Sequence, residues 1–392
     1  MAKRLTRALG IDIGTQGIKA AGLSLGKDRP QVDALAKGAT PENAIDHTGI
    51  FDPTSLGNAL RTILSEAGML GWKDVIFCIS GQQAVLVRNL EVPRMSDKEL
   101  SDHMQWEIQR NIPFAESTVV SDYRPVENPA LDGTDNMEVV MAVSPQSAIE
   151  AILELIKVAG CKPAAIDVEP LAIGRVLRSC YPGDLGAKNT CVVNFGNSMT
   201  SINMYRSGVL SFPRSIPSGG AALTKAIADS SGITSAEAEA TKATVAIPVA
   251  TTGEPTETYQ PYNPFTDAEA GQPAEGTVPV EPAPAPIAPV PAGDSKLFDA
   301  IQPQVVDFVA ELRRSIDYYR SRGGAIEQIA LTGGSSALTG LAAYVESSLG
   351  LPTALLDPFQ NLNVSPGVET FARANASEFA VAVGMGLHIA YD

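Results

Sequence analysis

The stretch "IDIGTQGIK", Ile11 to Lys19, decides the reading of the fold. An apolar strand reaches an aspartate, then a glycine and small polar residues, then a lysine on what reads as a second strand. A glycine lets the backbone turn tightly, so that successive N–H groups point into a concavity suited to an anion. Thr15 is small, permits close approach and adds a hydroxyl donor, Gln16 beside it is a further candidate binding residue, and Lys19 supplies one positive charge. Asp12, at the end of the strand, would hold a hydrated Mg²⁺ rather than the phosphate itself. Taken alone, the stretch fits a plain strand–glycine–strand hairpin equally well.

It has an echo. In "VVNFGNSMTSI" (192–202) an apolar strand again meets a polar residue, an apolar residue and a glycine, so that Asn194 falls on Asp12 and Gly196 on Gly14. Asn197, Ser198 and Thr200 are small and polar, as a phosphate-binding turn needs. A repeated turn predicts two related domains facing one ligand. Further pieces fit. "PSGGAALTKAIA" sets Gly219 and Gly220 before a helix, and "LTGGSSALTG" sets Gly333, Gly334 and Ser335 between a strand and a helix, where a flat base could lie on bare backbone. "EAEATK" places Glu239 and Lys242 on one helical face, to grip a ribose or adenine edge or to form a solvated ion pair. "DVEPLAIG" ends a strand at Glu169, a place to orient a water or to be a satisfied surface glutamate. There is no G-x-x-x-x-G-K-[ST], no G-x-G-x-x-G after a strand and no G-x-S-x-G.

Composition narrows the classes. The 392 residues are 44% hydrophobic, enough for two or more domains with real cores. The net charge of −15 argues against wrapping nucleic acid or lying on anionic lipid. Four scattered cysteines without C-x-x-C read as reduced packing residues of a cytosolic protein, and His47, His103 and His388 lack metal-ligand spacing. No run approaches the ~20 apolar residues of a membrane span, so any link to a membrane is expected to go through a partner.

Along the chain, residues 83–162 read β-α-β-β-α. Ser96 and Glu99 form a capping-box spacing ahead of Leu100, Met104, Ile108 and Ile112. Ser144-Pro145 is expected to cap a second helix with Ile149, Ile152, Leu153 and Ile156 inward. Leu297 to Tyr319 reads as one long amphipathic helix closed by Gly323-Gly324. Between them, six of the thirteen residues from Pro279 to Pro291 are proline, which builds neither a helix interior nor a central strand.

In order, these segments resemble the two phosphate turns, the two connecting segments and the adenosine segment of the actin/sugar-kinase ATPase superfamily. "WEIQRNIPF", "NFGNSMTSINMYRSGVLSFPRSIPSGGAALTKAIA", "LRRSIDYYR" and "LTGGSSALTGLAAYVESSLGLPTALLDPF" resemble the PilM family of actin-like type IV pilus assembly proteins, within its shared branch with FtsA. The resemblance implies an α/β fold of two RNase H-like domains around a nucleotide cleft, with an FtsA/PilM-type extra subdomain. The expected division is 1–82 and 163–189 in the first domain, 83–162 in the extra subdomain, 190–246 and 295–365 in the second domain, 247–294 as a Pro/Ala-rich mobile insertion, and 366–392 as a C-terminal helix returning to the first domain. It also implies ATP and Mg²⁺ in the cleft. The implied partner is the cytoplasmic tail of a PilN-type inner-membrane protein, bound in a groove beside 83–162, which connects the chain indirectly to the pilus platform and its motor ATPases. The chain stops at "GLHIAYD" without the basic amphipathic tail usual in FtsA. The family usually carries aspartate where Asn194 stands here. One unit charge at ~4 Å and an effective dielectric of ~20 is worth roughly 4 kcal/mol, so weakened Mg²⁺ dependence and slow hydrolysis are expected, with Asp12, Glu169 and Asn194 as the reaction-centre residues.

Overall fold

The computed structural model describes residues 5–114, 118–248 and 295–391; the proline-rich stretch at 249–294 lies outside the described residues. β1 (Arg7–Ile13), β2 (Gly17–Leu25) and β3 (Pro30–Ala39) run antiparallel, and α1 (Pro53–Glu66) crosses to β4 (Asp74–Ile79), parallel to β1. The chain then leaves this sheet for β5 (Leu86–Pro93), α2 (Asp97–Asn111), β6 (Val119–Val126), β7 (Asn136–Pro145) and α3 (Gln146–Val158). It returns as β8 (Lys162–Val168), parallel to β4, and α4 (Glu169–Cys180).

The second half repeats the scheme. β9 (Asn189–Phe195), β10 (Thr200–Arg206) and β11 (Val209–Ile216) are antiparallel. α5 (Gly220–Ser231), α6 (Ser235–Lys242) and α7 (Ser295–Ser321) precede β12 (Gln328–Thr332), α8 (Leu341–Leu349) and β13 (Thr353–Leu355). β14 (Asn363–Val364), α9 (Glu369–Asn375) and α10 (Ala380–Gly386) complete the chain. The sheets run β14-β3-β2-β1-β4-β8 and β11-β10-β9-β12-β13. Setting β14 aside and counting only its own strands, each sheet has the order third, second, first, fourth, fifth. The duplication inferred from two turns therefore extends to whole sheets.

Local chemistry explains the elements. Ser96 and Glu99 form the expected capping box on α2, and Leu100, Met104 and Ile108 are buried on one face. The Ser207-Gly208 loop joining β10 to β11 has φ of 49° and 73°, the left-handed pair that a type I′ hairpin requires. Two local expectations fail. Ser144 does not cap α3, because β7 continues through Pro145 and the Ser144 hydroxyl donates to the Pro145 carbonyl. Leu153 is exposed; Ile152, Leu155 and Ile156 face inward instead. α1 decides this by its close approach, since a Cβ on Gly57 would lie 2.7 Å from both the Leu155 carbonyl and Val158 Cβ. Ile247, placed by composition in the insertion, is buried, and its N–H donates to the Thr339 carbonyl.

α4 and α10 lie between the two sheets. Their buried residues share one core with Ile76 of β4, Val192 of β9 and Ala330 of β12. The approach is close: a Cβ on Gly384 would stand 2.3 Å from the Ala172 carbonyl, and one on Gly10 would stand 2.0 Å from the Ala382 carbonyl. Arg175 of α4 pairs with Asp167 and donates to the Gly384 carbonyl. The outer faces carry separate cores, under α1 and α3 on one side and under α5 to α8 on the other. The remaining sheet, β5-β7-β6, packs against α2.

Candidate functional site

The two turns are built alike. In the first ladder Ile13 pairs with Ile18, leaving Gly14 to Gly17 as the loop; in the second Phe195 pairs with Thr200, leaving Gly196 to Met199. Each closes with the same bond, from Gly14 N–H to the Gly17 carbonyl and from Gly196 N–H to the Met199 carbonyl, both 3.0 Å. Asp12 stands opposite Lys19 and Asn194 opposite Ser201. The loops meet tip to tip: Thr15 Oγ1 donates to Ser198 Oγ at 3.2 Å, and Asn197 Nδ2 donates to Thr15 Oγ1 at 3.1 Å.

Around them lies a cavity of ≈ 1820 Å³. Asp12, Gly14, Thr15, Gln16, Lys19, Glu169, Asn194, Gly196, Asn197, Ser198, Glu239, Lys242, Gly333, Gly334 and Ser335 all line it. Lys19 Nζ sits 3.3 Å from Asp12 Oδ2 and 3.4 Å from the Gly17 carbonyl, so this cation already neutralises the nearest carboxylate.

Three other predicted residues stand behind the cavity wall. Thr200 is buried, and its hydroxyl donates to the Ser218 carbonyl. Gly219 and Gly220 back the second turn. A Cβ on Gly219 would lie 2.5 Å from the Asn197 carbonyl, and the N–H groups of Gly220 and Ala221 donate to the carbonyls of Gly196 and Asn197. Gly219 buttresses the turn by its close approach, and the N–H groups of Gly220 and Ala221 are committed to it. Lys242 is buried too, with Glu239 Oε2 at 2.7 Å, Thr224 Oγ1 at 3.0 Å and the Gly220 carbonyl at 3.4 Å, which occupies all three of its donors. Glu239 is the more open member of that pair.

Gly333 shows why the third glycine turn takes no side chain. Its φ is 90°, and a Cβ there would meet Asn194 Oδ1 at 2.4 Å and the Phe195 carbonyl at 2.6 Å. Its N–H and the Thr332 hydroxyl both bond the Ser377 carbonyl, and Glu378 pairs with Lys37 at 2.7 Å. The segment before α10 thus joins the two lobes on the cavity wall.

Glu169 is the first residue of α4, directly after β8, rather than a strand terminus. It belongs to the first lobe but is held by the second: Ser201 Oγ donates to Oε2 at 3.0 Å and Asn203 Nδ2 reaches Oε1 at 3.5 Å. Burial pushes its carboxyl up to about 7, and the Asp12 charge adds to the rise, against hydrogen bonds from Ser201, Asn194 and Asn203. Ser201 and Asn203 escaped the sequence reading. Their signal was two polar residues at period two in an otherwise apolar strand, "TSINMY".

Among the described residues no group of three His, Cys, Asp or Glu is arranged to hold a metal, and no helix is long and apolar enough to cross a membrane. The residues present fit a hydrated ion held through water. Asn197 Oδ1 is buried without a partner at the tip of the second turn, an acceptor ready for a water-borne proton, and the two glycine turns leave bare backbone beside it.

Comparison with known proteins gives this geometry its family. The family model described as type IV pilus assembly protein PilM matches residues 10–264 and 292–389. A chain of the PilM–PilN type IV pilus biogenesis complex superposes with a TM-score of 0.77 at 26% identity, covering 99% of each chain. Ethanolamine utilization protein EutJ from Carboxydothermus hydrogenoformans shares the fold, with a TM-score of 0.54 at 14% identity over 98% of this chain and 91% of that one. The cell division protein FtsA of Neisseria meningitidis serogroup B is 22% identical over 243 residues, a match that spans 56% of each protein, so the chain aligns with only about half of that relative. With its two equivalent sheets and facing turns, the chain has the actin-like fold, and it belongs to the PilM family of type IV pilus assembly proteins.

Proposed function

We propose that the chain is a cytoplasmic nucleotide-binding adaptor of type IV pilus assembly, with ATP held between the turns and hydrolysed slowly or not at all. The observation that carries the reading is the tip-to-tip meeting of two turns with the same length, closing bond and place in equivalent sheets. The N–H groups that follow Gly14 and Gly196 in the two turns, with the hydroxyls of Thr15 and Ser198, would cradle the phosphates, and Lys19 would add its charge. The Gly333–Ser335 turn, with Glu239 nearby, would take the nucleoside end. Bound Mg²⁺ would supply charge neutralisation on the phosphates; Asp12 would hold it through water, and Asn194 would contribute a dipole without a charge. Glu169 would position a water and take its proton, a role suited to a carboxyl near 7.

The proposed partner is the cytoplasmic N-terminal tail of a PilN-type inner-membrane protein. A groove of ≈ 210 Å³ beside the 83–162 subdomain supports this, with Ile45, Ile50 and Phe51 on one wall and Ala148, Ala151 and Ile152 of α3 on the other. Through that tail the chain would sit at the inner membrane and reach the pilus platform and motor ATPases. The domain division drawn from the sequence is part of the same proposal.

Titration of the full chain with a PilN-type N-terminal peptide, with and without ATP–Mg²⁺, tests it. Saturable binding of both ligands is expected; absence of peptide binding in either state would overturn the adaptor reading. The FtsA match supports a second reading as a division protein. Liposome pelleting separates the two, since the proposed adaptor should pellet only with its tail-bearing partner.

A further inference from the structure

The 83–162 subdomain grips the second lobe as well as the first. Glu138 of β7 is buried and faces Arg206 of β10, whose two terminal nitrogens both lie 3.4 Å from Glu138 Oε2. Asn89 of β5 spends both amide hydrogens on this contact, one on Glu138 Oε1 at 2.6 Å and one on the Leu210 carbonyl at 2.8 Å. Arg206 also donates to Ser211 Oγ at 2.7 Å, and Ser211 bonds the Tyr319 hydroxyl of α7 at 2.8 Å. The result is a polar clamp joining β5 and β7 of the subdomain to β10, β11 and α7 of the second lobe at the wall of the large cavity.

The two strands that carry the clamp give it reach. β10 holds Arg206 at one end; its other end, Thr200, leaves the second phosphate turn, and Ser201 and Asn203 between them hold Glu169. β7 holds Glu138 near one end, and its other end leads straight into α3, where Ser147, Ala148, Ala151 and Ile152 wall the peptide groove. A seven-residue strand such as β10 spans about 20 Å and is stiffened by neighbours on both edges. Two such levers meet at one ion pair. A buried carboxylate that loses its partner carries an uncompensated charge, so the clamp favours two discrete arrangements, closed or parted, over gradual slackening.

We propose that the Glu138–Arg206 clamp, with Asn89, is the link through which occupation of the peptide groove and occupation of the nucleotide cleft alter one another. This rests on the function proposed above and assigns its regulation. Coupling of this kind is reciprocal, so either ligand can be the reporter.

The test measures ATP–Mg²⁺ affinity of the full chain with and without saturating PilN-type N-terminal peptide, for the parent, Arg206→Ala and Glu138→Gln. The second variant keeps the shape and the Asn89 bond while removing the charge. The parent should show a change in ATP affinity of about fivefold or more on adding peptide, in the lower part of the usual range. Each variant should bind both ligands separately with the change reduced to within about twofold, and hydrogen exchange should quicken in the 200–216 hairpin. Undiminished coupling in a folded variant overturns the clamp and leaves the wall shared by groove and cavity, Ile13 and Ile79, as the route. A parent that binds both ligands without coupling overturns the clamp but not the adaptor function. A parent that binds neither overturns both.

Discussion

Glu169 of the first lobe accepts a 3.0 Å hydrogen bond from Ser201 of the second, so the carboxyl at the base of the cleft belongs to both lobes. Its environment makes a pH test possible. The folded carboxyl titrates near 7, against 4.5 for an ordinary glutamate. The folded state therefore holds a proton that the unfolded state has already lost between these values. Stability from this group is complete below pH 4.5 and declines as pH rises to 7. A shift of this size corresponds to about 3 kcal/mol. Glu169→Gln should match the parent near pH 4.5 and exceed it by up to that amount at pH 8. Denaturant melts at several pH values check this; parallel curves for the two proteins would remove the argument.

Asn194→Asp gives the second turn the aspartate that Asp12 supplies to the first and places a further carboxylate beside Glu169. It also removes an amide that hydrogen-bonds Glu169. Without nucleotide the variant should melt earlier at neutral pH than the parent. With ATP it should gain Mg²⁺ dependence, the ion tightening binding by about tenfold more than in the parent because a full charge replaces a dipole. Thermal melts read the first effect and isothermal titration with and without Mg²⁺ reads the second; an equal Mg²⁺ response in the two proteins would count against the proposed effect of Asn194 on Mg²⁺ dependence.

Gly333→Ala and Gly334→Ala form a matched pair. At Gly333 the positive φ alone costs roughly 1–3 kcal/mol for a residue with a side chain, and the new methyl would collide with Asn194 and Phe195. At Gly334 it would meet only the Glu378 side chain, at 3.9 Å. The first variant should lose stability and nucleotide binding together. The second should stay within about 0.5 kcal/mol of the parent. Thermal melts settle the order, and equal tolerance of both would contradict the packing described for this turn.

Phe51 is 61% exposed on the groove wall, an unusual place for an aromatic ring unless something covers it. Phe51→Ala should weaken peptide binding by about tenfold, near 1.4 kcal/mol, and leave ATP binding alone. Leu153→Ala, an exposed apolar position on α3 outside the groove lining, serves as the comparison and should change neither. If both substitutions weaken the peptide equally, the groove is not its site.

Features written in local spacing were readable from the sequence: the two turns, the capping box of α2, and the long apolar stripe of α7. What failed depended on a distant partner. Ile149, Ile152, Leu153 and Ile156 are all apolar, and only the approach of α1 at Gly57 selects which of them face inward. Lys242 reads as a surface cation because nothing nearby in sequence announces that Gly220 and Thr224 will enclose it. Thr200 looks like a turn donor, yet it is already the first residue of β10 and points to Ser218. Ser201, Asn203, Glu138 and Arg206 are ordinary polar residues until the strands that carry them are set against the other lobe.

The insertion of α10 between the sheets has a consequence for biosynthesis. The first lobe's opening strand packs against residues 380–386, and Gly10 has space only for that helix. A nascent chain emerging from the ribosome can form the β1–β2 hairpin early, but its inner face stays bare until residues 380–386 have also been translated. Premature termination anywhere before residue 380 should therefore yield a product that chaperones retain, even when every residue of both turns is present.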